Sequence, residues 1–454
     1  MGTQHTETER KYEGAVLPQQ LDQVPGVAAA QRAEPEDLDA VYYDTSDLRL
    51  LRRRITLRRR TGGGDAGWHL KLPRSDDVRE EVRLPLGTGG PDGVPTGLSQ
   101  LVTAYTRGAA LVPVAHLRTH RGVLLLRDDR GSTLAQIAED RVVAQVLDAD
   151  RTGTVPSDAR PPDPDGTGPP GGTSTEVCGW TEFEVELDEG TPRLLDRIEA
   201  VFADAGLARS PWPSKLSRVL GGPRASGARP DVPAPAPAAG SAGALVMAGF
   251  RAQVEALLDL DAAVRRGEED SVHRMRVTAR RLRSQLKAHR ALFRRDRAEP
   301  LATELRWLGR LLGRARDQEV LGELLVGRLD AVPARLRRDA LRGRLTERYA
   351  GGYRSAWQQA VAELDGTRYF ALLERLDAFA AAPPLRRRAD RKARPYLSGV
   401  LRHEQRRTLK RLDHALHTEP GPHRDQALHR ARKAAKRARY TADHAQPHLP
   451  RRAA

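Results

Sequence analysis

The chain has 454 residues, enough for two or three domains with separate cores; 30% are charged, 4% are aromatic and the net charge is +16. No stretch approaches the roughly 18 consecutive apolar residues of a membrane-spanning helix, and the polar start from Met1 to Lys11 lacks the apolar centre of a secretory signal. Cys178 is the single cysteine, so no internal disulfide can form and a reducing cytoplasm is the expected compartment.

Residues 1–220 read as strands of alternating pattern at 7–12, 55–60, 68–72, 80–86, 122–127, 133–140 and 181–187, with helices expected at 96–103 and 192–205. In a strand, residues two apart share a face, so Glu7, Glu9 and Lys11 point the same way. Two carboxylates and an ammonium make a poor core and suit either a solvated surface or a polar barrel lumen. Arg58 and Arg60 likewise share a face, as do His69 and Lys71, and Glu81 and Arg83. Arg118 and Arg121 follow in HLRTHRG, and Lys215, also read as strand, lies in PSKLSR. A Pro-, Gly- and Asp-rich loop at 148–179, holding Cys178, interrupts this half. After it, Glu182, Glu184 and Glu186 oppose an apolar face of Phe183, Val185 and Leu187. Carboxylates this close repel, and a divalent cation such as Mg²⁺ or Mn²⁺ relieves them through oxygen ligands. Carboxylates for a metal together with Arg and Lys for oxyanions are the parts that phosphoryl transfer needs.

The segment 221–243, GGPRASGARPDVPAPAPAAGSAG, cannot build a core and reads as an extended linker. It also divides the charge. Residues 246–454 carry 47 Lys+Arg against 25 Asp+Glu, whereas residues 1–245 carry 29 against 35. Such a field attracts polyanions, and charge alone does not choose among nucleic acid, anionic lipid and polyphosphate.

The second half has the three- and four-residue apolar spacing of helices and contains a repeat: VHRMRVTARRLR at 272–283 aligns with LHRARKAAKRAR at 428–439. His273, Arg276, Arg280, Arg283 and Lys287 form one helical stripe, and His429, Arg432, Lys436 and Arg439 form its counterpart. Like charges along one stripe destabilise an isolated helix, so two such stripes point to an anionic ligand. A further basic stretch at 386–410 is expected to be supporting surface.

Residues 1–220 resemble the CYTH domain, the triphosphate tunnel metalloenzyme family. Its ExExK opening stands here as Glu7, Glu9 and Lys11, and YYDTSDLRLLRRRITLRRRTGGGDAGWHLKLP at 42–73 is similar to its next segment. The resemblance implies a closed antiparallel eight-stranded β tunnel whose polar lumen binds a triphosphate and a divalent metal. It implies Glu7, Glu9 and Lys11 as catalytic, and Glu7, Glu9, Glu81, Asp140, Glu184 and Glu186 as metal-side positions with Glu182 optional. Lys11, Arg58, Arg60, Lys71, Arg121 and Lys215 become triphosphate ligands, with Arg118 competing with Arg121 for one place. Glu139-Asp140 stands where two aspartates are more usual.

Residues 244–454 resemble the CHAD domain, a basic helical bundle associated with polyphosphate. The stripes carry that resemblance, together with LGRLLGRARDQEVL at 308–321. It implies that His273, Arg276, Arg280, Arg283, His429, Arg432, Lys436 and Arg439 bind polyphosphate. No equivalent of 308–321 follows the second stripe, so the second repeat is expected to be incomplete. Basic rows without interleaved aromatics suit polyphosphate better than single-stranded nucleic acid, which is expected to bind only nonspecifically. The expectation is an α+β chain, an N-terminal β tunnel followed by an all-α bundle, acting as a Mg²⁺- or Mn²⁺-dependent triphosphatase. It is expected in the cytoplasm with polyphosphate granules, and not on a membrane. The alternative is a non-catalytic polyphosphate-binding adaptor.

Overall fold

The computed structural model describes residues 3–89, 93–147, 177–221, 237–332 and 339–446, in two compact units, Met1–Arg229 and Pro230–Ala454. Most of the 148–179 loop and of the 221–243 linker lies outside the described residues.

The first unit contains β1 (Thr3–Glu13), β2 (Ala29–Arg32), β3 (Glu36–Asp44), β4 (Thr56–Thr61), β5 (Gly67–Pro73) and β6 (Val78–Leu84). After these come β7 (Val112–Arg127), β8 (Thr133–Val146), β9 (Val177–Leu187) and β10 (Ala208–Arg209). Eight of them close a ring in the order β1-β6-β5-β4-β3-β7-β8-β9, with β9 returning to β1 and every pairing antiparallel. This is the expected closed eight-stranded tunnel. β2 and β10 pair outside the ring, on β7 and β1.

Alternation fixes what faces inward. On β9, Phe183 and Val185 point out into an apolar layer with Tyr12 and with Leu194, Leu195, Ile198 and Phe202 of α2 (Pro192–Asp204). The Tyr12 and Phe202 rings meet edge-on at 4.8 Å. Burying side chains of this size stabilises by about 1.5–3 kcal/mol each, which holds β9 in register with its glutamates inside. A one-residue slip would turn every one of those glutamates into the apolar layer. Helix α1 (Thr96–Thr106) buries Leu98, Leu101 and Val102.

Four differences from the sequence reading have physical causes. Strand β3 has acidic residues at its start and escaped notice. Strand β7 begins at Val112 rather than at residue 122, because His116, Arg118 and His120 on one face and Thr119 and Arg121 on the other blur the alternation. Lys215 is not in a strand but opens α3 (Lys215–Leu220), whose capping box joins Ser214 to Ser217. Cys178 is not in a loop; it sits exposed on β9.

The second unit is helical: α4 (Ala242–Arg265), α5 (Ser271–Ala288), α6 (Arg295–Asp330), α7 (Asp339–Leu364), α8 (Thr367–Ala381), α9 (Ala393–Leu416) and α10 (Pro422–Ala445). Phe250, Phe293 and Phe379 pack as rings 5.1 and 5.2 Å apart at its core. The repeat places α5 and α10 as counterparts. Val272 of α5 is 2% exposed, while its counterpart Leu428 is 38% exposed. Helix α6 packs on α5, and among the described residues no helix follows α10. No described helix is long and apolar enough to cross a membrane.

Candidate active site and basic helical face

Register brings the two acidic motifs of the first unit together. Across the β1–β9 seam, Lys11 lies opposite Glu184 and Glu9 opposite Glu186. Lys71 lies opposite Glu81, and Arg121 opposite Asp140. The side chains of Glu7, Glu9, Lys11, Arg58, Arg60, Lys71, Glu81, Arg121, Glu184, Glu186 and Lys215 line one cavity. Arg118 does not join them. It sits three residues from Arg121, hence on the other face, and it is exposed beside Asp39 on the outside. Sequence reasoning missed Arg79, Tyr42 and Thr56, which also line the cavity. Arg79 was discoverable: it stands two residues before Glu81, but a strand begun at residue 80 excludes it.

One side of the lumen is densely ion-paired. Lys215 Nζ lies 2.8 Å from Asp140, 2.9 Å from Glu182 and 2.6 Å from Glu184. Arg121 donates to both oxygens of Asp140 at 2.7 Å and to Glu184 at 2.8 Å, and Lys11 contacts Glu184 as well. Burial opposes ionisation of Glu184, yet Lys11, Lys215 and Arg121 hold its carboxyl well below the usual range. Burial also works against the Glu9 carboxylate, but Lys11, Lys71 and Arg79, whose Nε is 2.9 Å away, bring it down to about 2. His69 is buried between Glu81 Oε1 and the Asp65 carbonyl oxygen, each at 2.9 Å, and burial lowers it to about 4.

The other side carries unmet demand of both signs. Among the described residues the Glu186 side chain makes no hydrogen bond or ion pair, and burial together with Glu7, Glu9 and Glu184 pushes it up to about 7 against the pull of Lys71. Burial also raises Glu7, despite Lys71 at 2.5 Å and Arg83 at 3.2 Å. Opposite them in sign, the buried Nε atoms of Arg58 and Arg60 have no partner among the described residues, although other nitrogens of Arg60 and Arg58 meet Asp65 and Tyr42, and burial with Arg58 and Arg121 lowers Arg60 to about 9.

These residues fit a divalent metal. Asp140, Glu182 and Glu184 bring their oxygens within 4.8 Å of one another, but Lys215 already fills that centre. Like charges directly opposite across strands destabilise a sheet, and in the Glu9–Glu186 pair Glu9 is met by Arg79 and Lys11 while Glu186 has no ion-paired cation among the described residues. Oxygen donors of this kind are those a hard cation prefers.

In the helical unit the two stripes converge. Lys436 of α10 is lowered by burial and then by Arg280, Arg432, Arg439 and Arg276, so cations of α5 and α10 share one field. Arg283 is lowered by burial and by Arg306, Arg310, Arg280 and Arg437. Arg306 and Arg310 lie on α6 and Arg437 on α10, and neither stripe had included them. Arg276 Nε donates to the Gly309 carbonyl at 3.3 Å, and a Cβ on Gly313 would stand 3.4 Å from that same nitrogen. His273 keeps a buried Nδ1 without a partner. His429 instead lines a groove between α9 and α10 with Thr408, Leu412 and Leu428.

Residues 5–218 match the CYTH domain family and residues 248–454 match the CHAD domain family. An uncharacterised protein of Mycobacterium tuberculosis is 38% identical over 445 residues, 96% of this chain and 82% of its own length. Among solved structures, PptA from Streptomyces chartreusis is 19% identical with a TM-score of 0.39, over 45% of this chain and 75% of its own. The CHAD domain of Ricinus communis is 27% identical with a TM-score of 0.38, over 46% of this chain and 66% of its own. A putative adenylyl cyclase of Hippeastrum, described as having a dominant triphosphatase activity, is 18% identical with a TM-score of 0.27, over 48% and 96%.

Proposed function

The chain belongs to the family that joins a CYTH domain to a CHAD domain, and from that premise we propose that its tunnel hydrolyses inorganic triphosphate or polyphosphate while its helical unit binds polyphosphate. The observation that carries the reading is the pairing of unmet demands in one lumen: among the described residues, the Nε atoms of Arg58 and Arg60 have no acceptor and the Glu186 carboxyl has no ion-paired cation. A triphosphate with its metal satisfies both at once.

Glu7, Glu9 and Glu186, with Glu184 beside them, would hold Mg²⁺ or Mn²⁺, which when bound neutralises phosphate charge and polarises the terminal phosphoryl group. Arg58, Arg60 and Arg121 present planar donor forks to non-bridging phosphate oxygens, and Lys11, Lys71 and Lys215 add point charges. Charge that develops on those oxygens as water displaces the remaining polyphosphate is thus met by donors already in place. Arg79 and Arg83 act one step back, by holding Glu9 and Glu7. The helical face would bring the polymer to the protein and the protein to polyphosphate granules.

The test is phosphate release by purified protein from tripolyphosphate, long-chain polyphosphate, thiamine triphosphate and ATP, with Mg²⁺, with Mn²⁺ and with chelator. Metal-dependent release from the inorganic substrates is expected. Release from none of them, with polyphosphate still bound, leaves the adaptor reading in its place.

A further inference from the structure

Tyr440 stands on α10, one residue beyond the stretch that repeats α5, at the position where α5 carries Ser284. Its side chain is 4% exposed, and the guanidiniums of Arg280 and Arg281 on α5 lie 5.5 and 5.8 Å from its ring centroid. Arg439, from its own helix, lies at 5.2 Å. Among the described residues none of the three arginines forms an ion pair, and the buried Nε of Arg280 has no hydrogen-bond partner. The phenolic oxygen is likewise buried and, among the described residues, unpartnered, so the hydroxyl is not what keeps a tyrosine here.

We propose that Tyr440 is a positioning residue that joins the two basic stripes into one polyphosphate surface, a reading that rests on polymer binding by the helical unit. Three cations from two helices repel one another, and the negative face of an aromatic ring is the group that can sit among them without neutralising them. A carboxylate in the same place would cancel charge that the polymer needs. The ring therefore holds Arg280, Arg281 and Arg439 at fixed spacing before the ligand arrives, and lowers the ordering cost of binding. Lys436, one turn back on α10, lies in the field of Arg280, Arg432 and Arg439 as well, which places the ring at the join rather than at an edge.

The test uses the full chain in chelator, so that the tunnel does not turn over, with long-chain inorganic polyphosphate titrated at several salt concentrations. Tyr440→Phe keeps the ring and should bind within about twofold of wild type, while Tyr440→Leu should bind about tenfold more weakly. The slope of log affinity against log salt should flatten by about 2 in Tyr440→Leu, as arginines leave the phosphates, and stay at the wild-type value in Tyr440→Phe. A ring that served only to pack α10 would lower the melting temperature and leave that slope alone. If Tyr440→Leu melts too low to assay, Tyr440→Met takes its place with the same expectations. Wild-type affinity and slope in the leucine or methionine variant overturn the proposal, as does a phenylalanine variant as weak as they are. Wild-type protein that does not bind the polymer overturns the underlying reading instead.

Discussion

In the tunnel, Lys215 lies within 2.9 Å of three carboxylates, whereas on the helical face Arg280, Arg281 and Arg439 share a tyrosine ring and no carboxylate. The first arrangement is neutralised within itself and buried; the second is of one sign, with Arg281 and Arg439 exposed to solvent. A lumen of both signs selects a ligand that brings both, and it selects by position. A face of one sign selects by charge density and tolerates many lengths and conformations. Exposed charge is also screened by salt much more than buried pairs are, so ionic strength should separate the two regions functionally.

The largest expected effect breaks the tunnel alone. Glu9→Gln keeps the shape but leaves Arg79 without its carboxylate, while Lys11 keeps Glu184. Because disturbing even an outer-shell partner commonly costs 10- to roughly 100-fold in a metal site, loss of more than about 100-fold in tripolyphosphate hydrolysis is expected. Polyphosphate binding should stay at the wild-type level. An unchanged hydrolysis rate in a folded variant removes the catalytic reading of the ExExK motif.

The next effect breaks the face alone. Changing Arg276, Arg280 and Arg283 together to Ala should weaken polyphosphate binding by about 100-fold at fixed ionic strength, at roughly 1 kcal/mol per cation. Hydrolysis of tripolyphosphate should not change. Titration of each polymer, with duplex DNA as the comparison, reads the result, and equal affinity for DNA would reduce the face to a generic basic surface.

The smallest effect sharpens the contrast inside the tunnel. Glu186 is raised from 4.5 to about 7, so the folded protein holds its proton more tightly than the unfolded chain does. The stability it contributes is full below about pH 4.5 and is lost as the pH climbs to about 7. Glu9, lowered to about 2, acts in the opposite sense: its contribution is present above about pH 4.5 and disappears as the pH falls towards 2. In chelator, Glu186→Gln should therefore stabilise the first unit at about pH 8, by on the order of 2 kcal/mol given its partial exposure, and do little at about pH 5. Melting curves at the two pH values check this. Parallel curves for wild type and variant would show that Glu186 is not held against its charge.

Much of the tunnel was legible because its strands alternate cleanly. Thr181 to Leu187 separates carboxylates from Phe183 and Val185 without exception, and the lumen face of β1 follows from Glu7, Glu9 and Lys11. What was hidden depended on registers and short elements. Nothing in the sequence sets Glu9 opposite Glu186, because strand pairing between residues so far apart is a tertiary fact. A six-residue helix is too short to show periodicity, so Lys215 was placed in a strand although it reaches the same carboxylates from α3. Arg118 and Arg121 could not be separated until β7 was seen to run through both. On the helical side the stripes stood out through their repeat, whereas Arg306 and Arg310 are two arginines among several on a 36-residue helix. Only packing against α5 singles them out.

Strand β1 is held on one edge by β6 and on the other by β9, so its residues are locked by strands about 70 and about 175 positions later. During synthesis the ExExK segment is therefore made about 175 residues before the strand that closes the ring on it. Until Glu186 has emerged, β1 has an unpaired edge, and its three ionisable side chains at 7, 9 and 11 make that edge a poor template for association with other chains. The charges that line the finished lumen thus also guard the nascent strand while it waits for its partner.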